Sequence, residues 1–111
     1  MCAKTYPDAY FDCIYVDARH DWKGVYEDLK AWWPKLKVGG IMAGHDYVIQ
    51  ADVGTQDWTP NYDGTRDETE LVVQGAVDTF FMGDEAKNTD HYRQVTVTFR
   101  ESMWNTWIVR K

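Results

Sequence analysis

The chain has 111 residues, enough for one domain with a modest core, and its hydrophobic fraction of 44% is ordinary for a globular fold. No stretch approaches the length of a membrane span, and the opening MCAKTYPDAY lacks the basic and apolar regions of a signal peptide. The net charge of -6 is spread along the chain, which speaks against binding nucleic acid, whose phosphates need a basic face.

Two cysteines are present, Cys2 and Cys13, and neither has a second Cys at metal-ligand spacing. With no export signal, a reducing cytoplasmic compartment is expected, without a membrane partner. Tyr10 to Val16 reads as a strand that is apolar on both faces, as a covered parallel strand is, with Cys13 as a small buried hydrophobe. Asp21 is placed to cap a helix whose apolar stripe is Val25, Leu29, Trp32, Trp33 and Leu36, with Lys23, Glu27, Asp28 and Lys30 on the wet side. Pro34 and the pair Gly39-Gly40 close that helix in a tight turn, and Ile41 to Gly44 is the next strand.

Tyr47 to Arg66 has no period and is dense in Asp, Gly, Thr, Asn and Pro. A loop of this length inside a compact domain is either functional or disordered. Trp58 and Tyr62 within it suggest a lid over a site, and a mobile surface insertion is the other reading. Thr65-Arg66-Asp67-Glu68 matches a capping box for a helix through Val72, Val73, Ala76, Val77, Phe80 and Phe81 that stops at Gly83. His91 falls in a polar connector and reads as a surface residue. Gln94 to Arg100 alternates Val95, Val97 and Phe99 against Thr96 and Thr98, a half-buried strand. Trp104 to Val109 is a last strand, and the short Glu101-Ser102 link predicts an antiparallel hairpin at the sheet edge. The order β-α-β-α-β-β points to an α/β layered fold with a mixed sheet.

Polar clusters close the first two strands: Asp17 with His20, then His45 with Asp46. Open α/β sheets bind ligands at the carboxyl ends of their strands, so both clusters are expected at one crevice. The simpler reading of Asp17 and Asp46 is strand-end capping, and that of His20 is an exposed residue at a helix start. The pairs do not match H-E-x-x-H, and neither a G-x-S-x-G elbow nor a P-loop occurs.

The segment VDARHDWKGVYEDLKAWWPKLKVGGIMAGHDY, from Val16 to Tyr47, resembles the pattern D-x-x-H-x-(Y/W)-x-x-V-x-x-D-L-x-x-W-x-P-x-L-x-x-G-G-x-x-x-x-H-D-Y. That pattern belongs to class I S-adenosylmethionine-dependent methyltransferases of the macrocin O-methyltransferase-like group. VVQGAVDTFF and the ending WNTWIVRK are similar to that group's last helix and final strand. The resemblance implies the second half of a Rossmann-like methyltransferase sheet: parallel strands, a C-terminal antiparallel hairpin, and residues 1–111 as one partial domain. The family fold begins with a strand and a glycine-rich turn that holds the cofactor, and no glycine precedes Phe11 here.

By that resemblance, S-adenosylmethionine is the cofactor, with Asp17, Ala18 and Arg19 beside it. Asp17 and Asp46 would be carboxylate ligands of Mg²⁺, assisted by His45, which stands where relatives often carry another acid. His20 would be the general base that takes the proton of an acceptor hydroxyl on a small-molecule or sugar-like substrate. Tyr47, Trp58 and Tyr62 would shape the acceptor pocket. The reading from another class is a non-catalytic half-domain. In it, the bare edge of the Phe11–Val16 strand pairs with a missing amino-terminal segment or with a second copy in a homo-oligomer.

Overall fold

The computed structural model describes residues 6–16, 19–98 and 105–111. Strand β1 (Phe11–Val16) leads into helix α1 (Trp22–Trp32), a single 3₁₀ turn (Trp33–Lys35) and strand β2 (Leu36–Gly44). Helix α2 (Val72–Met82) follows the long loop, and strands β3 (Thr96–Thr98) and β4 (Thr106–Arg110) complete the described elements. The sheet order is β1-β2-β4-β3. β1 and β2 are parallel, as a helical crossover allows, and β4 runs antiparallel to both β2 and β3. Phe99, Trp104 and the Glu101-Ser102 link expected in the hairpin lie outside the described residues.

One hydrophobic cluster joins Val25 and Leu29 of α1, Val72 to Phe81 of α2, and Met42, Trp107 and Val109 of the sheet. Ile14 and Val16 pack against it from β1. The alternate positions of the same strands do not share in it, because successive side chains point to opposite faces. Cys13 and Tyr15 are exposed, and Ile41 and Ile108 are only half-buried. The expectation that β1 is covered on both faces, with Cys13 inside, is therefore corrected. Val97, expected to be buried, is also exposed on the outer strand, while Val95 just before it is buried.

The end of α1 differs from its sequence reading too. The helix stops at Trp32, and Pro34 sits within the short 3₁₀ turn that follows. Leu36 is fully buried, but as the first residue of β2. Gly39 and Gly40 lie inside this strand, at an irregularity where the register passes from Phe11↔Leu36 to Cys13↔Ile41. Gly39 has φ +87°, a backbone that side-chain-bearing residues rarely adopt. Lys111 pins the irregular segment: Gly39 N–H donates to its carbonyl at 3.1 Å, and its own N–H donates to Gly40 at 2.9 Å. Farther along β2, a Cβ on Gly44 would lie 2.6 Å from Trp107 Nε1, so only glycine lets β4 approach so closely.

Helix α2 is capped by a residue other than the one its sequence suggested. Thr65 is exposed and bonds to Asp63 within its own turn. Buried Asp67 takes the capping role from farther upstream: Oδ2 accepts the N–H of Val72 at 3.0 Å and Oδ1 accepts that of Thr69 at 3.0 Å. Its own N–H donates to Thr59 at 2.8 Å, which fastens the helix start to the long loop. Asp67→Ala leaves the buried Val72 N–H unpaired and should lower stability by about 1–3 kcal/mol. Thr65→Ala should cost less than about 0.5 kcal/mol. Denaturant unfolding of the two variants tests the assignment, and the reverse ranking would return the cap to Thr65.

Tyr47 braces the end of β2 against α2 through its hydroxyl, which donates to Asp78 Oδ1 at 2.6 Å. Burial holds the Asp78 carboxyl above its ordinary value, and the Tyr47 bond offsets this only in part. Burial and then the same bond push the Tyr47 phenol above its usual range. A carboxyl raised in the folded state contributes stability below its unfolded pKa of about 4, and that contribution is lost as pH rises through the raised value. Asp78→Asn should flatten that decline. Denaturation midpoints measured from about pH 3 upward check this, and an unchanged slope would remove Asp78 from the account.

Candidate functional site

The site begins at the N-terminus of α1. Asp21 is its N-cap, with Oδ2 accepting Gly24 N–H at 3.0 Å. The same oxygen accepts the N–H of Tyr62 at 3.1 Å, across a sequence separation of 41 residues. Asn61 Oδ1 accepts Lys23 N–H at 3.0 Å, and the Lys23 ammonium pairs with Asp63. Helix-start N–H groups lack intrahelical partners and need acceptors from elsewhere. The loop supplies one of them, and Asp21 in turn receives the loop. The Lys23 ammonium holds Asp63 well below the usual carboxylate range, reinforced by bonds from Thr65.

The loop itself is folded. Trp58 is buried, with its N–H donating to Gln50 Oε1 at 2.9 Å and its Nε1 to Gln56 Oε1 at 3.1 Å. Thr59 is also buried, and its N–H and hydroxyl both donate to Asp57 Oδ1. A bridge between Pro60 and Arg66 closes the tip. The loop is thus tied down by its own side chains, with Trp58 seated inward.

His20, one residue before the cap, meets this loop face to face. Its ring stacks on Trp58 with centroids 4.2 Å apart and planes 9° apart. On its other side, Nε2 lies 3.2 Å from Asp46 Oδ2. Asp46 follows the end of β2 with φ +62°, a left-handed turn that aspartate tolerates better than most residues. A neutral imidazole with its proton on Nε2 would face that carboxylate and keep a lone pair on Nδ1. The ends of β1 and β2 thus bring a base and a carboxylate together, partly open to solvent: the His20 side chain is 51% exposed and Asp46 20%.

The other residues singled out in the sequence go elsewhere. His45 packs edge-on against Tyr15, at 4.9 Å between centroids, on the sheet face opposite the helices. Arg19 lies over the Tyr62 ring at 4.6 Å, and the Tyr62 hydroxyl donates to Glu27 Oε1 at 2.5 Å, so both line the outside of α1. Tyr47 is committed to Asp78. Asp17 and Ala18 lie outside the described residues. Among the described residues no group of three His, Cys, Asp or Glu side chains could hold a metal ion. His91, expected at the surface without a partner, is half-buried: Nδ1 is 2.7 Å from the Phe80 carbonyl and the ring stacks on Phe80 at 4.1 Å. An open cleft of about 250 Å³ lies beside the loop, between Trp22, Asn61, Arg66 and Asp67, without reaching His20 or Asp46.

The sequence profile of a family described as a methyltransferase domain matches residues 2–47, a span that holds β1, α1, β2, His20 and Asp46. No curated protein matches the chain. Among solved structures, a protein from Corynebacterium glutamicum superposes with a TM-score of 0.56 at 17% identity, covering 98% of this chain and 42% of its own. A structure described as a possible exported protein from Bordetella parapertussis gives 0.50 at 16% identity, covering 98% and 41%. The chain therefore spans about two fifths of the length of both. Its mixed α/β fold, a four-stranded sheet with two helices, is one that it shares with them, and its first 47 residues carry a methyltransferase-domain pattern.

Proposed function

We propose that this chain is the C-terminal half of a class I S-adenosylmethionine-dependent O-methyltransferase domain of the macrocin-like group, acting on a hydroxyl of a small-molecule or sugar-like acceptor. The observation that carries the reading is the His20–Asp46 pair at 3.2 Å, inside the segment that matches a methyltransferase domain. S-adenosylmethionine would supply the methyl group. The chain's own part is to hold the acceptor hydroxyl against His20 and to take its proton at Nδ1 as the oxygen gains the methyl group. A positioned imidazole suits that transfer, and Asp46 stabilises the imidazolium that results. Asp17 and Ala18, which follow β1 in sequence, would flank the cofactor, and Arg19, whose side chain lies over Tyr62, would reach it only by turning from that ring. Of the proposed Mg²⁺ ligands within the described residues, Asp46 stands 3.2 Å from His20 and His45 packs on Tyr15, while Asp17 lies outside them.

A second reading has its own observation. Among the described residues β1 is an edge of the sheet, and its own Cys13 and Tyr15 lie exposed on a face without helices. An open edge with apolar neighbours favours association, so a binding or oligomerisation module is the alternative.

Calorimetric titration of the folded chain with S-adenosylmethionine separates the two. Micromolar binding is the result the enzyme reading expects, with the chain completing a cofactor site without the glycine-rich turn, and His20→Ala should leave it intact while lowering methyl transfer by about 10²–10⁴-fold. A folded sample that binds no cofactor and sediments as a stable dimer would overturn the enzyme reading in favour of the module.

A further inference from the structure

We propose that Trp58 is a positioning residue for His20, and that the loop from Asp57 to Arg66 is fastened to α1 in order to hold it there. The functional meaning rests on the reading of His20 as the base. A half-exposed histidine just after a strand end is free to rotate, and confining it costs side-chain entropy that burial does not repay. Yet two contacts meet its ring. The indole of Trp58 lies parallel at 4.2 Å and sets the plane, and Asp46 Oδ2 stands 3.2 Å from Nε2. The plane set by Trp58 limits where Nδ1 can point.

The platform is stiffer than the ring that it supports. Trp58 is only 7% exposed, and its backbone and indole N–H groups are held by Gln50 and Gln56. Four residues later, Tyr62 N–H is bonded to Asp21, the residue directly after His20. Asn61 accepts from Lys23 N–H in the same helical turn. His20 and Trp58 are thus carried by two segments locked to one another within a few residues of the contact, which keeps their separation independent of more distant movements. A well-oriented base needs this, since small misplacements of a reacting group are costly.

The test uses NMR of the histidine ring carbons and protons, with His20 assigned by His20→Gln, alongside steady-state methyl transfer. The indole face should shift the His20 ring protons upfield in the native chain. Trp58→Phe should retain part of that shift and most of kcat. Trp58→Leu should abolish it and lower kcat about 10–100-fold with little change in KM. Asn61→Ala, which frees the loop without emptying the core, should weaken the shift and kcat together, and it covers the case in which Trp58→Leu does not fold. Native His20 protons at free-imidazole positions would overturn the proposal. So would a fall in kcat in Trp58→Leu or Asn61→Ala with the His20 signals unmoved. Should the chain transfer no methyl group, the NMR arm still decides whether Trp58 orients His20, separately from the reading of His20 as a base.

Discussion

The carboxylate of Asp21 serves two masters with one oxygen. It accepts Gly24 N–H at 3.0 Å as a helix cap and Tyr62 N–H at 3.1 Å as the anchor of a loop far along the chain. A cap is a local device that satisfies backbone donors which the helix cannot. Sharing it with Tyr62 turns the helix start into a joint, and the residues on either side of the joint, His20 and the loop that holds Trp58, are brought into register by it. Gly24 belongs to the same arrangement: a Cβ there would lie 2.5 Å from both the Arg19 side chain and Asp21 Oδ1.

The sheet supplies the other half of the geometry. Parallel pairing of β1 and β2 places their carboxyl ends side by side. His20 departs from one and Asp46 from the other. The left-handed turn at Asp46 sends its carboxylate toward His20, while His45, one residue earlier, goes to Tyr15 on the opposite face. One face of the sheet is filled by α1 and α2, and the other presents Cys13, Tyr15, Ile41 and Ile108. The chain spans about two fifths of the length of the two solved structures that share its fold.

The parts of this picture that sequence reasoning reached are those governed by local periodicity. The stripe from Val25 to Leu29, the Asp21 cap, and the helix ending before Gly83 follow from spacing and capping chemistry alone. What escaped it was set by partners distant in sequence. Leu36 continued the helical stripe, but Pro34 and the pairing with Phe11 made it the start of a strand. Thr65 headed a plausible capping box, but Asp67 is buried and reaches Val72 first. His91 had no visible partner because the Phe80 carbonyl and ring are brought to it only by the fold. At the site the sequence went part of the way: strand-end placement put His20 and Asp46 at one crevice, and a tryptophan in a polar loop hinted at a cover, but nothing in the spacing shows that Trp58 stacks on His20.

The most direct test of the account is amide hydrogen exchange at Tyr62, read beside Gly24. Both N–H groups are bonded to one oxygen of Asp21, so the loop anchor and the helix cap should open together. The account predicts that the Tyr62 amide is protected in the native chain and exchanges in step with that of Gly24. Exchange of Tyr62 at the rate of an unstructured peptide, with Gly24 still protected, would show that the loop is not fastened to the helix, and the site built on that joint would fall with it.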